Sequence, residues 1–424
     1  MSDLKRLSYD NLDETVFFTK LSNGLRLTLV PKAGFKEVYG MMTCQFGSID
    51  NHLTVANQTI EFPLGVAHFL EHQLFEKNEQ EDMAQQFSKL GSDSNAFTSF
   101  EKTHYYFSGT NNLLASLGLL QTLVSKQGFT DMSINKEKEI IKKEIALYQD
   151  DPDSRLYQGV LENLYPQTAL AEDIVGTDES IVNISLTNLK DCFSFFYQPS
   201  NLHFVVVGDF DVKEVFNSIQ SFQSNWPKKE QFAFEKTPLV LHPVIKKRSI
   251  MMPIATSKLG IGIRRNNLNQ DFSMTEKIKI DLFFSLLLGW TSQDYQKWYD
   301  KGMIDDSFTI ETTLSSRYQF VVILLDTKHP ITMSSHIKKK LKQVASHSNF
   351  SLEQFEMLKK ERYGDFMREL DSLEDLTHQL SESDDNDYFD FPQILMSFTL
   401  DEVIEAGQAF LKQSDLTEFM IFPK

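Results

Sequence analysis

Two segments of this 424-residue chain, far apart in sequence, repeat one pattern. LTNLKDCFSFFYQPSNLHFVVV (186–207) lines up with LDEVIEAGQAFLKQSDLTEFMI (400–421) when shifted by 400 − 186 = 214 positions. Leu186 meets Leu400, Phe196 meets Phe410, Ser200 meets Ser414 and Leu202 meets Leu416, all in one register. Each segment has the period of a helix, then a turn, then a strand. Upstream, KKE at 142–144 has a counterpart KKE at 359–361 in a similar helical pattern. Chance likeness of two amphipathic helix–strand units is the competing reading. The more economical one is a pair of homologous halves of about 200 residues. The chain is also too long for one ordinary core.

Local patterns fill in this frame. Strands are expected at 21–32 and 38–48, with a strand pair at 94–109 and further strands at 201–210, 257–264, 318–326 and 416–423. Helical patterns cover 64–76, 80–90, 111–127, 134–149, 153–164 and 185–197 in the first half. In the second they cover 275–300, 331–346, 351–380 and 399–412. The stretch 226–243, with three prolines and mixed charge, reads as an extended linker between domains 1–225 and 244–424.

Composition removes several function classes. A net charge of −17 lacks the basic footprint of a nucleic-acid-binding protein. The acidic stretches QDDPDS (149–154) and SESDDNDYFD (381–390) read as solvated loops, or as a negative surface that attracts cationic peptides. No apolar run approaches the ~18 residues of a membrane span, and the first residues, MSDLKRLSYDNLDETVFF, lack the pattern of a secretory signal. Cys44 and Cys192 are the only cysteines, too few for a disulfide framework or a thiolate zinc site, so a cytoplasmic location is expected.

Chemistry concentrates at HFLEH, residues 68–72. His68 and His72 stand at i and i+4 and share one helix face, able to present two imidazole nitrogens to one zinc ion. Glu71 lies on the same side, placed as a general base and not as a ligand. The bland alternative is a pair of helix histidines with no metal. A catalytic zinc wants three protein ligands and an open position, and the helical stretch 135–153 offers Glu137, Glu139 and Glu144. Glu137 and Glu144 are seven apart and lie on one face. Their bland reading is as solvent-facing partners of the lysines at 136–143.

H-x-x-E-H is the inverted zincin signature. Followed by E-x(6)-E at 137–144, it resembles the insulinase or pitrilysin-like metallopeptidases, which include the mitochondrial processing peptidase. GVAHFLEHQLFEK (65–77), SNAFTSFEKTHYYF (94–107), EKEIIKKEIALYQDDPDSRLY (137–157) and NLHFVVVGDF (201–210) carry the likeness. The resemblance implies an α+β fold of two homologous halves, each an antiparallel sheet with helices on one face. It implies Zn2+ held by His68, His72 and Glu144, with Glu71 as base and Glu137 as the carboxylate that steadies the site. Asn95 and Ala96 would lie on a substrate-binding edge strand, and His104 would be structural. The implied reaction is endopeptidase cleavage of unfolded peptides, by attack of a zinc-activated water with Glu71 assisting.

Full activity in the family also takes an arginine and a tyrosine seven residues apart. In the corresponding stretch, WYDKGMIDDSF (298–308), Trp298 and Asp305 stand at those positions, and no R-x(6)-Y pair occurs in 285–320. The chain is therefore expected to bring the zinc half of the site to a heterodimer whose homologous partner supplies arginine and tyrosine. The alternatives are a homodimer, or a non-catalytic peptide-binding or assembly subunit.

Overall fold

The computed structural model describes residues 4–56, 58–75, 82–226, 233–268, 273–344, 350–383 and 387–424. The chain forms two compact units. The first comprises Met1–Ile145, Asp173–Thr237 and Met367–Phe389; the second comprises Ala146–Glu172, Pro238–Phe366 and Asp390–Lys424. These units differ from the ranges 1–225 and 244–424 in two stretches, 146–172 and 367–389, each of which joins the unit built mainly from the other half.

Among the described residues of the first unit ten strands form two sheets. They are β1 (Lys5–Tyr9), β2 (Glu14–Lys20), β3 (Arg26–Pro31), β4 (Val38–Cys44), β5 (His52–Val55), β6 (Gln58–Glu61), β7 (Ser92–Thr98), β8 (Thr103–Gly109), β9 (Leu202–Gly208) and β10 (Glu235–Lys236). The large sheet runs β1-β2-β3-β9-β4-β8-β7 and is antiparallel except between β3 and β9; the small one runs β10-β5-β6. The second unit holds β11 (Lys247–Met252), β12 (Lys258–Arg265), β13 (Thr309–Leu314), β14 (Gln319–Asp326) and β15 (Ser414–Pro423), in the order β11-β15-β12-β14-β13. Among the described residues its one parallel pairing is β11 with β15. That order reproduces β3-β9-β4-β8-β7 strand for strand, including the place of the parallel pair. The halves are homologous in structure as well as in sequence.

The repeated segments are equivalent elements. Helix Leu186–Phe196 leads to β9, and helix Leu400–Lys412 leads to β15. Each begins with a reciprocal capping box, on Ser185 and on Thr399, which satisfies backbone N–H groups at the helix start. The KKE triplets lie on helices Asp131–Asp150 and Leu352–Asp371. Two expected helices are each broken in two, 275–300 at Gly289 and 351–380 at Ser372. Ser292 and Ser372 accept hydrogen bonds from the N–H groups of Tyr295 and Asp375, starting new helices where the pattern reads as continuous. Of the expected linker, 227–232 lie outside the described residues, as do 384–386 of the second acidic stretch; Glu235–Lys236 pairs with β5.

Each large sheet has its main apolar core on one face and, among the described residues, a helix packed on the other. In the second unit Leu259, Ile261 and Ile263 join the main core with Phe283, Phe284 and Phe410. The alternate residues Gly260 and Gly262 face helix Pro152–Leu164, where a Cβ would stand 2.4 and 2.6 Å from Val160. In the first unit Leu27, Met42, Phe204 and Tyr105 lie in the main core. The opposite face carries a buried polar row. Thr28 and His203 are 3.0 Å apart, and Thr43 and His104 are 2.9 Å apart. Helix Leu373–Glu382 covers that face. At its end the Lys102 ammonium donates to the carbonyls of Ser381 (3.3 Å) and Glu382 (2.8 Å), a favourable use of a cation at a helix C-terminus.

Two outcomes test this packing. Gly260→Val overfills the helix–sheet contact and should lower stability by about 1–3 kcal/mol in denaturant unfolding. Burial, aided by the charges of Arg26 and Lys102 and by His104, pushes His203 down to about 3 from an ordinary 6.5. Below pH 6.5 the unfolded chain then binds a proton that the folded chain refuses, so stability falls as pH drops from 6.5 toward 3. The slope from this group approaches about 1.4 kcal/mol per pH unit. His203→Gln should decline less steeply over that window.

Candidate metal centre

The HFLEH segment lies on helix Val66–Phe75, whose start depends on Gly65. At Gly65 φ is +80° and a Cβ would stand 2.5 Å from the Val175 carbonyl oxygen, so the backbone can turn into the helix here only without a side chain. Val66, Phe69, Leu70 and Leu74 anchor the helix in the core. Helix Asp131–Asp150 packs through Ile134, Ile141 and Ile145, and Glu137 is buried with them. Ser133 Oγ donates to Gln73 Oε1 at 2.8 Å and joins the two helices near their ends.

Among the described residues, one cluster of histidine and carboxylate side chains has the spacing of a metal site. It consists of His68, His72 and Glu144, whose ligand atoms all lie within 4.8 Å of one another. Glu144 Oε1 is 3.6 Å from His68 Nε2, and Glu144 Oε2 is 3.9 Å from His72 Nε2. Glu137 Oε1 is 2.8 Å from His72 Nδ1. A carboxylate only accepts, so Nδ1 carries a proton and Nε2 is the nitrogen that faces the cluster. His68 Nδ1 is buried without a hydrogen-bond partner among the described residues. Two imidazole nitrogens and a carboxylate converging in this way fit a tetrahedral zinc ion with one position left over. Glu139, in contrast, pairs with Lys142 at 2.9 Å on the surface, as the bland reading of the helix expects.

Burial dominates the electrostatics. It pushes His68 down to about 3, with His72 adding to the effect, so His68 is neutral and able to ligate. For His72 burial works in the same direction, but the hydrogen bond it donates to Glu137 and the charges of Glu71, Glu137 and Glu144 outweigh it and raise the pKa. Burial lifts Glu71 to about 7, against the lowering effects of its hydrogen bond with Thr98 and of His72. A carboxylate poised near neutrality suits proton transfer.

Asn95 and Ala96 lie on β7, which pairs with β8 and, among the described residues, has no second neighbour in its sheet. The Ala96 N–H donates to the Asn95 side-chain oxygen at 2.8 Å. His104 is buried, stacks on Phe97 and stands 3.0 Å from Glu382, in keeping with a structural role. Thr98 is the residue that the motif reading passes over: its hydroxyl donates to Glu71 Oε2 at 2.5 Å. The available signal was strand alternation, which puts Thr98 on the same face as Ala96.

The insulinase (peptidase family M16) profile matches residues 61–178, and the peptidase M16 inactive domain profile matches 183–362. The chain is 34% identical to a Bacillus subtilis (strain 168) protein named uncharacterized zinc protease YmfH, over 99% of this chain and 100% of that one. The chain belongs to the insulinase family. Within this family it is 28% identical to the beta subunit of rat (Rattus norvegicus) mitochondrial-processing peptidase, over 47% of this chain and 39% of the subunit. Among solved structures it resembles a putative M16-like peptidase from Alicyclobacillus acidocaldarius, with a TM-score of 0.89 and 27% identity over 99% and 100% of the two chains.

As an insulinase-family chain it pairs a zinc-protease-like first half with a second half of the inactive-domain type. The two positions where an arginine and a tyrosine were expected, Trp298 and Asp305, do other work. Trp298 is buried in the core and stacks on His336, and Asp305 accepts hydrogen bonds from the Ser307 backbone and hydroxyl at 3.0 and 2.5 Å. No described helix is long and apolar enough to cross a membrane.

Removing the buried carboxylate tests the cluster. Glu137→Gln should weaken zinc affinity about 10–100-fold in a chelator competition. His72→Ala and Glu144→Ala should purify without stoichiometric zinc.

Proposed function

We propose that the chain is the zinc-bearing subunit of a peptidase that cuts unfolded peptides and takes its remaining catalytic groups from a homologous partner chain. The observation that carries this reading is the convergence of His68, His72 and Glu144 beside a buried Glu71. In this proposal those three side chains hold zinc, and Glu137 orients His72. Zinc bound there would supply Lewis acidity, lowering the pKa of a water to about 7 and polarising the scissile carbonyl. Glu71 takes one proton from the attacking water as its oxygen bonds to the carbonyl carbon. The same carboxyl then delivers that proton to the amide nitrogen as the carbon–nitrogen bond breaks.

The peptide would lie along β7 at Asn95 and Ala96, adding as a further strand through main-chain hydrogen bonds. The net charge of −17 favours cationic peptides. The need for a partner rests on Trp298 and Asp305, which leave the chain without the arginine and tyrosine that would stabilise charge on the carbonyl oxygen. One such donor is commonly worth 10²–10³ in rate. Those same two positions favour the competing reading, a peptide-binding or assembly subunit without catalysis.

Zinc content and hydrolysis of quenched-fluorescence peptides separate these readings. Protein purified without chelator should hold about one zinc per chain. Alone it should cleave slowly, and cleavage should rise about 10²–10³-fold on adding a homologous chain that carries R-x(6)-Y. Glu71→Gln should keep its zinc and lose about 10²–10⁴-fold in kcat. Absence of zinc, or full activity in Glu71→Gln, would sink the peptidase reading. Full-rate cleavage by the isolated chain would remove the partner.

A further inference from the structure

We propose that Thr98 is a positioning residue for Glu71, tying the orientation of this carboxylate to the open strand edge on which a peptide would lie. The proposal rests on the peptidase reading above and concerns a residue outside the motif. Thr98 ends β7. Its Oγ1 donates to Glu71 Oε2 at 2.5 Å, and among the described residues it is the only hydrogen-bond donor to that carboxylate. Glu71 is only 7% exposed, so water cannot substitute freely for the hydroxyl. With one oxygen held, the other is left to accept the proton.

What holds Thr98 is the hairpin itself. Threonine is branched at Cβ and has few χ1 choices on a strand, so the backbone sets the place of its hydroxyl. That backbone pairs with Thr103 and then enters a tight turn, in which the Ser99 N–H donates to the Lys102 carbonyl at 2.7 Å. The Lys102 ammonium is in turn bound to the end of helix Leu373–Glu382, so the turn is fixed from both sides.

Strand parity links Thr98 to the open edge. The Ala96 N–H goes to the Asn95 side chain instead of to β8, which marks Ala96 as a residue whose main-chain groups face the open edge. With a period of two, Thr98 shares that parity. A peptide pairing with this edge would therefore bond to the backbone of the residue whose side chain holds the base. Substrate binding and base orientation become one structural event.

The test uses the full chain with its partner and a quenched-fluorescence peptide, comparing wild type, Thr98→Val and Thr98→Ser. Valine keeps the branched shape and removes the hydroxyl. The expected result for Thr98→Val is a kcat about 10–100-fold lower, the worth of one hydrogen bond to a charged group, with KM within about twofold and zinc content unchanged. Thr98→Ser should recover most of the rate. Unchanged kcat in Thr98→Val, equal losses in both variants, or loss of zinc from Thr98→Val would each overturn the proposal. A crystal structure of Thr98→Val gives a readout independent of rate. A Glu71 carboxylate turned from its wild-type place supports the proposal, and one left in place refutes it. If wild type shows no Glu71-dependent hydrolysis, the peptidase reading itself fails and Thr98 has no base to position; that outcome is distinct from normal hydrolysis by Thr98→Val.

Discussion

The hydrogen bond between His72 and Glu137 sets the geometry on which the candidate site depends. It joins two helices whose contributing residues are 65 apart in sequence, at 2.8 Å and with the carboxylate almost fully buried. A carboxylate in that position is costly unless it is paired. The pairing also fixes the imidazole ring, so that the second nitrogen faces Glu144 and His68. Isoleucines on either side of Glu137 in the helix register keep the two helices at this separation.

Around that contact the fold shows what duplication can preserve and what it can release. Both units keep the same five-strand order with its one parallel pair. Each half of the sequence has a long helix followed by a shorter one, Pro152–Leu164 or Leu373–Glu382, that belongs to the unit built mainly from the other half. In the second half, the two positions where the arginine and tyrosine were expected serve packing and a turn. Trp298 fills the core and Asp305 stabilises a turn.

The exchange of covering helices has consequences for the site as well as for stability. Helix Leu373–Glu382 comes from the second half of the sequence, yet its end is gripped by Lys102 from the β7–β8 hairpin. The hairpin that carries Asn95, Ala96 and Thr98 is thereby braced by sequence nearly three hundred residues away. A buried ammonium shared among two helix carbonyls and the Glu382 carboxylate satisfies its charge without water.

Periodicity and spacing were enough to read the doubling, the helix–strand order and the i, i+4 histidines with carboxylates seven apart, because these features are local and repeat with the helix or strand period. Breaks within long helices were not legible, since Ser292 and Ser372 become caps only when the chain turns there. Nor was the composition of the two units, because which sheet an apolar helix covers is decided by small residues such as Gly260 and Gly262 on a distant strand. By itself the sequence determined the fold class and a set of side chains competent to hold a metal. Only the tertiary structure decided that Glu137 faces His72 while Glu139 faces solvent, and that Thr98 reaches Glu71. Burial and hydrogen-bond partnership are long-range properties, set by which surfaces meet once the helices and strands have packed.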